Sequence, residues 1–313
     1  MDEQNSSDKE RRLEELRTDA DRSRGYYGQP MLKAPVWTWE IPSYFFVGGA
    51  AGAAAVVGAV ARSMGADSAL VRDARWIAAA GAIASPPLLI SDLGRPERFL
   101  NMLRVFKLQS PMSVGVWTLV AFSTAAGAAA FADLLDRQTG GRVPVRMLGN
   151  AAEALAAATG VVLSTYTGVL IGATAVPVWS QNVRVLPIHF GASGVGTAVS
   201  ILELLGHRER ALNRLAIGAA ALETLIGLAL ESSADPGTDP VRHGSSGAIT
   251  RAGGVLSGPV PLALRLLASR SPAARTLAAL STIAGSLLTR VGWLAAGRQS
   301  ASEPSSSFGL EIR

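Results

Sequence analysis

The chain has 313 residues, of which 49% are apolar and 17% charged, and its mean hydropathy is positive. The apolar residues form long blocks separated by short charged stretches, a pattern typical of a protein that crosses a membrane several times. Because there is no cysteine, the chain forms no disulfide and holds no iron–sulfur cluster through thiolates. The formal charge of +5 is spread over the loops rather than along one face, which argues against nucleic acid as a partner.

The three histidines, His189, His207 and His243, do not suggest a haem or metal site. The first two fall on one predicted helix, separated by about 27 Å at the rise of an α-helix. That separation is too large for both to ligate one haem. We therefore expect no haem and no histidine-rich metal site in this chain, so any redox centre has to be supplied from outside the chain.

The apolar blocks predict an all-α integral membrane protein with about eight transmembrane helices, arranged as two four-helix bundles. They lie at 41–61, 74–91, 112–133, 151–177, 186–206, 211–231, 253–269 and 273–297. The seventh block is short and is interrupted by Gly258, Pro259, Pro261 and Arg265. Six or seven spans are therefore the alternatives.

This division predicts four parts of the chain. A polar arm occupies 1–35, the first bundle 36–180, the second bundle 181–298, and a serine-rich, disordered tail 299–313. Residues 1–25 lack the apolar core of a signal peptide, so the first apolar helix is expected to start membrane insertion. Basic residues are nearly balanced between the two sides, and the positive-inside rule fixes no orientation.

The segment 26–52, YYGQPMLKAPVWTWEIPSYFFVGGAAG, places two tryptophans, a carboxylate and a tyrosine at the start of the first apolar helix. Trp37 and Trp39 suit the water–lipid interface, where amphipathic indole rings settle. The glycines that follow let another helix approach closely. Glu40 lies at the membrane edge, where a carboxylate either caps the helix or belongs to a site.

Helix direction gathers the unusual residues at one end of the first bundle. If the first helix begins on one face of the membrane, the second and fourth helices end on that face, and the third and fifth begin there. The residues at that end include Glu40, Tyr44, Asp92, Arg95, Tyr166 and His189. A pocket lined by such residues suits a flat polar headgroup on a lipid tail.

Three long motifs carry a resemblance to a known family. They are PVWTWEIPSYFFVGGAAG at 35–52, SDLGRPERFLNMLRVFKLQSPMSVGVW at 91–117 and TYTGVLIGATAVPVW at 165–179. With these three motifs in this order, the chain resembles the polysulfide reductase NrfD family of quinone-reactive membrane subunits, which is related to formate dehydrogenase anchors. The resemblance covers about residues 26–300. The resemblance implies that the first four helices bind menaquinone or another quinone. It also implies that a ferredoxin-like 4Fe–4S subunit docks over this end and that a molybdopterin catalytic subunit completes the complex.

The resemblance carries over to individual residues. Tyr166, in the TYTG motif, looks like the family tyrosine proposed to hydrogen-bond a quinone carbonyl. Glu40 and Tyr44 look like the opposite wall of the site. Some members have an asparagine and a histidine near that wall, where this chain has Ile41 and Tyr44. Trp39, Arg95 and His189 complete the set of predicted quinone contacts.

Two carboxylates are the predicted groups for proton exchange. Asp92, in the DLGRP sequence, looks like a family fixture, and its role is either to accept a proton or to orient Arg95. Glu40 is the second carboxylate, because a side chain at the membrane edge can pass protons between water and a buried site. The structural alternative for DLGRP is a helix that stops at Gly94, with Asp92 paired to Arg95.

The other candidate residues have structural interpretations too. Tyr166 is otherwise a core tyrosine with a satisfied hydroxyl, and Trp37 and Trp39 are interfacial anchors. His189 is otherwise a satisfied histidine at the membrane interface.

Three charged residues, Glu203, Glu223 and Arg290, fall within predicted spans. Unpaired charge is costly in a membrane. We expect these residues to neutralise one another or, as the alternative, to mark a proton path through the second bundle.

We therefore predict a subunit that anchors a respiratory oxidoreductase of the formate dehydrogenase or polysulfide reductase type in a bacterial plasma membrane. It would pass electrons between an iron–sulfur partner and the quinone pool, with or without proton transfer, and would have no substrate active site of its own. The alternatives are a passive anchor without a quinone site and a transporter of small solutes or protons. Transport is disfavoured because the polar residues gather at one end rather than at the midplane.

Overall fold

The computed structural model describes residues 32–140, 143–233, 238–268 and 271–302, and these residues form helices and no strands. The helices are α1 (Glu40–Ser63), α2 (Ser68–Asp92), α3 (Glu97–Met102), α4 (Pro111–Thr139), α5 (Val143–Gly172), α6 (Pro177–Ser180), α7 (Val185–Leu204), α8 (Arg210–Ser232), α9 (Asp239–Arg242), α10 (Gly244–Ser257), α11 (Pro259–Leu267) and α12 (Pro272–Ser302). The all-α prediction is confirmed for this part of the chain.

Six of these helices, α1, α4, α5, α7, α8 and α12, are long and apolar enough to cross a membrane. The predicted arrangement of eight spans in two bundles is not confirmed. Helix α2 carries charged residues in its first two turns and two internal prolines, and it is not among the six. The predicted seventh span is broken at Gly258 into the two shorter helices α10 and α11, as its glycine and prolines indicated.

Helix α1 lies at the centre of the fold and packs against α2, α5, α7 and α12. Its backbone comes close to two neighbours where glycines face each other. A Cβ atom at Gly52 would lie 2.5 Å from the carbonyl oxygen of Gly160 on α5, and one at Gly194 on α7 would lie 2.9 Å from that of Gly49. The predicted role of the glycines in close helix packing is confirmed at these positions.

The prolines inside α2, Pro86 and Pro87, leave a gap in the helical hydrogen bonds. Because proline has no N–H, the carbonyl group of Ala82 loses its partner at Pro86. The hydroxyl of Ser123 on α4 donates a hydrogen bond to that carbonyl oxygen over 3.2 Å. A side chain of the neighbouring helix thus replaces the missing backbone donor, as membrane helices require.

The two ends of the helix assembly are marked by different contacts. At the Trp37 end, Trp37 stacks on Trp179, and the backbone N–H of Thr38 donates to Asp92. At the opposite end, Arg75 of α2 forms an ion pair with Glu153 of α5. The start of α1 and the end of α2 therefore lie together, as the helix directions predict.

The predicted terminal segments fall largely beyond the described residues. Residues 1–31 of the predicted arm and 303–313 of the predicted tail lie outside them. The predicted tail begins at 299, whereas α12 continues to Ser302.

We expect Gly160→Ala to destabilise the protein by about 1–3 kcal/mol, because the added methyl group would overlap the backbone of Gly52. The matched control is Gly127→Ala on α4, where an added Cβ atom meets nothing within 4 Å. Alanine should stabilise a helix there by about 0.5–1 kcal/mol. Thermal unfolding in detergent measures both variants, and equal melting temperatures would contradict the close backbone contact.

Candidate functional site

Two buried tyrosines form the centre of the candidate site. Tyr44 lies in the second turn of α1, and Tyr166 lies near the end of α5. Their side chains are 2% and 5% exposed, and the two helices that carry them pack directly against each other. Neither hydroxyl forms a hydrogen bond with another described residue. Buried phenol hydroxyls usually find a partner, so these two are available to a ligand.

A glycine on a third helix makes room for Tyr166. Gly115 lies near the start of α4, and a methyl group added there would overlap Cζ and Oη of Tyr166. The phenol ring therefore reaches from α5 to the backbone of α4. No residue with a side chain fits at position 115 unless Tyr166 moves.

Helix α2 contributes a serine that sequence reasoning missed. A Cβ atom at Gly48 would lie 3.5 Å from Oγ of Ser85 and 3.6 Å from the ring of Tyr44. Ser85 is fully buried, and its hydroxyl has no partner. The only sequence signal was a serine before two prolines within an apolar helix. Tyr44, Ser85, Gly115 and Tyr166 are called the tyrosine cluster below.

The hydroxyl of Thr167 is a further unpartnered group near this cluster. Thr167 follows Tyr166 in the TYTG motif and lies one turn after Leu163, whose side chain faces Gly48 of α1. It is 1% exposed. Two buried hydroxyls without partners, on Ser85 and Thr167, therefore occur close to the two tyrosines in the described structure.

The predicted proton-exchange groups lie at the Trp37 end. The backbone N–H of Thr38 donates to Asp92 over 3.3 Å, and its hydroxyl lies next to carboxylate oxygens of both Glu40 and Asp92. Both carboxylates are partly exposed. Thr38 therefore joins the start of α1 to the end of α2.

Of the alternatives for DLGRP, the pairing of Asp92 with Arg95 does not occur in the described structure. Arg95 is exposed and forms no ion pair with Asp92, because the carboxylate faces Thr38 instead. The predicted helix stop is confirmed, since α2 ends at Asp92 and Gly94 adopts a positive φ of 67°.

The two tryptophans before α1 have different surroundings. Trp39 is 68% exposed, which suits an interfacial anchor better than a wall of a buried site. Trp37 stacks on Trp179, with ring centroids 5.6 Å apart. The indole N–H of Trp179 in turn donates to the backbone carbonyl of Trp293 over 2.8 Å.

His189 does not join the tyrosine cluster. Its Nδ1 lies 2.9 Å from Oε1 of Glu223 on α8, and the hydroxyl of Ser257 on α10 donates to Oε2 of the same carboxylate over 2.9 Å. The imidazole is 4% exposed and lines a cavity of about 240 Å³ between α8 and α10. Helix direction predicted which end His189 lies near but not which neighbour it faces.

Comparison with known proteins identifies the family. A family model described as Polysulphide reductase, NrfD matches residues 29–227, which is more than half of the chain. The chain belongs to the NrfD family. No curated protein matched it. NrfD chains are multi-pass membrane subunits of oxidoreductase complexes and are in general quinone-reactive.

The matched region includes every candidate site residue of this NrfD chain. Tyr44, Asp92 and Tyr166 lie within it, and so do His189 and Glu223. The match ends within α8, so the helices from α9 to α12 lie beyond it.

Of the three buried charges singled out in the sequence of this NrfD chain, Glu223 and Arg290 lie within electrostatic range of each other, but no two of the three form a direct ion pair. Glu203 instead receives two hydrogen bonds from Arg265, over 2.9 and 2.6 Å, and Glu223 pairs with His189. Arg290 is fully buried and forms no ion pair with a described carboxylate. Its guanidinium is held by the hydroxyls of Ser193 and Ser286 and by the carbonyl of Phe190, and it lies over the rings of Phe46 and Phe190.

We expect Arg265→Met to destabilise the chain by about 3–5 kcal/mol, because it leaves Glu203 charged and unpaired in a buried site. The double variant Glu203→Leu/Arg265→Met should recover most of that loss. Removing an exposed pair with Arg137→Met should cost at most about 1 kcal/mol. Denaturation in detergent compares the three variants, and a double variant no better than the single one would argue against a buried ion pair.

Proposed function

We propose that this chain is the quinone-binding membrane subunit of a respiratory oxidoreductase and holds the quinone headgroup at the tyrosine cluster. The observation that carries the proposal is the pair of buried tyrosines, Tyr44 and Tyr166, whose hydroxyls have no partner among the described residues. Burying such donors costs free energy unless they form hydrogen bonds. A ligand with carbonyl oxygens would supply the missing acceptors.

The residues of the cluster fit menaquinone or another membrane quinone. When bound, a quinone would supply a carrier of two electrons and two protons. Tyr166 and Tyr44 would donate hydrogen bonds to its carbonyl oxygens from α5 and α1. The hydroxyl of Ser85 is a third donor, on α2.

Protons would reach the cluster from the Trp37 end. Asp92 and Glu40 are partly exposed there and lie on either side of the Thr38 hydroxyl. A carboxylate in that position can exchange a proton with water and pass it to a buried hydroxyl. Asp92 and Glu40 would thus serve proton exchange, and Tyr44 and Tyr166 would position the headgroup.

Electrons would come from or go to a ferredoxin-like 4Fe–4S subunit, with a molybdopterin subunit as its own partner, as is general for the family. The segment between α2 and α4 supports docking at the Trp37 end, because it exposes four cations and one carboxylate, Glu97. The cations are Arg95, Arg98, Arg104 and Lys107. A basic surface of this kind would steer an acidic partner toward the cluster.

The rival function is a passive anchor, which would keep the exposed basic segment but bind no quinone. In that case Tyr44 and Tyr166 would only fill space between helices. The two functions differ in whether the phenol hydroxyls matter, since Tyr→Phe keeps the ring and removes only the donor.

We expect Tyr166→Phe and Tyr44→Phe each to weaken binding of a heptyl-hydroxyquinoline N-oxide, a fluorescent quinol analogue, by about tenfold. Loss of one hydrogen bond to a ligand costs about 1–1.5 kcal/mol. The measurement is quenching of the probe by the detergent-purified chain. Thr165→Val is the matched control, because the Thr165 hydroxyl bonds only to its own helix. Saturable quenching that neither tyrosine variant alters would favour the passive anchor.

A further inference from the structure

A second site lies away from the tyrosine cluster, in the cavity of about 240 Å³ between α8 and α10. Its walls are mostly apolar and include Leu228 and Val255, which are 62% and 49% exposed on the outer surface of the helices. Because α8 is a candidate membrane span and these residues are exposed on its outer side and on that of α10, the cavity would open toward the lipid. The family match ends at residue 227, so much of the lining lies beyond the matched region.

The floor of the cavity is polar and incompletely hydrogen-bonded. His189 bonds to Glu223 through Nδ1, and Ser257 bonds to the other oxygen of the same carboxylate. The second ring nitrogen of His189, Nε2, has no partner among the described residues, although His189 is only 4% exposed. A ring nitrogen without a partner on a buried histidine can form a hydrogen bond with a ligand.

The depth of the cavity floor limits which kinds of headgroup can reach His189. Glu231 and Arg251 form an ion pair near the Trp37 end of the same cavity, through hydrogen bonds of 2.5 and 2.9 Å. Glu223 lies eight residues before Glu231 on α8, which is a rise of about 12 Å along the helix. A phosphate headgroup would have to leave the membrane edge and lose its hydration to reach His189, at a high cost.

The polar groups of the cavity floor also favour a headgroup without charge. Both oxygens of the Glu223 carboxyl group are already bonded, one to His189 and the other to Ser257, which leaves no free counter-charge for an ionic headgroup. A charged headgroup would add an uncompensated charge there. A neutral ring with a carbonyl or hydroxyl group can hydrogen-bond to Nε2 without that penalty, and its apolar tail can leave between Leu228 and Val255.

We propose that this cavity is a second binding site for a neutral, lipid-tailed ligand of the quinone or quinol class, anchored on His189. The site shares its ligand class with the proposed function but none of its residues. Binding there requires no electron transfer. His189 and Glu223 position the headgroup, and the apolar walls of α8 and α10 hold the tail.

Photolabelling tests the two sites separately in the intact chain. The probe is an azido-naphthoquinone with a decyl tail, added to the chain in nanodiscs, and labelled peptides are mapped by mass spectrometry. We expect labelling within 224–231 or 254–259 that an unlabelled decyl-naphthoquinone displaces. Gly254→Phe should abolish it, because position 254 lines the cavity and faces open space. His189→Gln should raise the displacing concentration about tenfold.

The control variants separate failure of this site from failure of the tyrosine cluster. Tyr166→Phe should leave labelling of 224–231 and 254–259 unchanged. Gly227→Phe also fills the cavity at a glycine that faces open space, and the same loss of labelling in both variants would show that the loss does not come from misfolding of Gly254→Phe. Labelling that is displaced only near Tyr44 and Tyr166 would overturn the second site while supporting the first. Equal labelling of the cavity by a photoreactive phosphatidylcholine, with no displacement by the quinone, would show that it holds a lipid chain and would also overturn the proposal.

Discussion

The close contact of α1 with α5 and α7 is the constraint on which the rest of the structure depends. Facing glycines bring the helices together at Gly52 and Gly160 and at Gly49 and Gly194. In a membrane, where apolar side chains gain little by leaving lipid, such backbone contacts are a main source of helix association. Because α1 also packs against α2 and α12, its position sets both the tyrosine cluster on one side and the buried Arg290 on the other.

The described residues bury polar groups of two chemically different kinds. The hydroxyls of Ser85 and Thr167 are neutral and lack partners, and those of the buried residues Tyr44 and Tyr166 form no hydrogen bond with a described residue. Other buried groups are charged and specifically paired, such as Glu203 with Arg265 and Glu153 with Arg75. Satisfied charges stabilise a unique packing, whereas unsatisfied neutral donors favour binding of a ligand.

Hydrophobic patterning predicted much of the fold, because a helix that crosses a membrane needs a long apolar run. The six candidate spans all correspond to predicted blocks, and the break at Gly258 was visible as a Gly-Pro pair. Patterning left the number of spans open between six and eight, and α2, which combines an apolar stretch with charges and prolines, is not among the six candidate spans.

The candidate site was less predictable from sequence than the helices. Direction along the chain fixes which end a residue lies near, but not the face of the helix that it occupies. His189 was therefore grouped with Tyr166, although it faces Glu223. Ser85 was missed because a lone serine in an apolar helix has no sequence pattern that distinguishes it from a residue bonded to its own backbone.

The stacking of Trp37 on Trp179 and the hydrogen bond from Trp179 to Trp293 join three distant parts of the sequence at the Trp37 end of the helices. During synthesis, these contacts stay incomplete until α12 has been made, so the Trp37 end takes its final form only after the helices from α1 to α12 have been inserted.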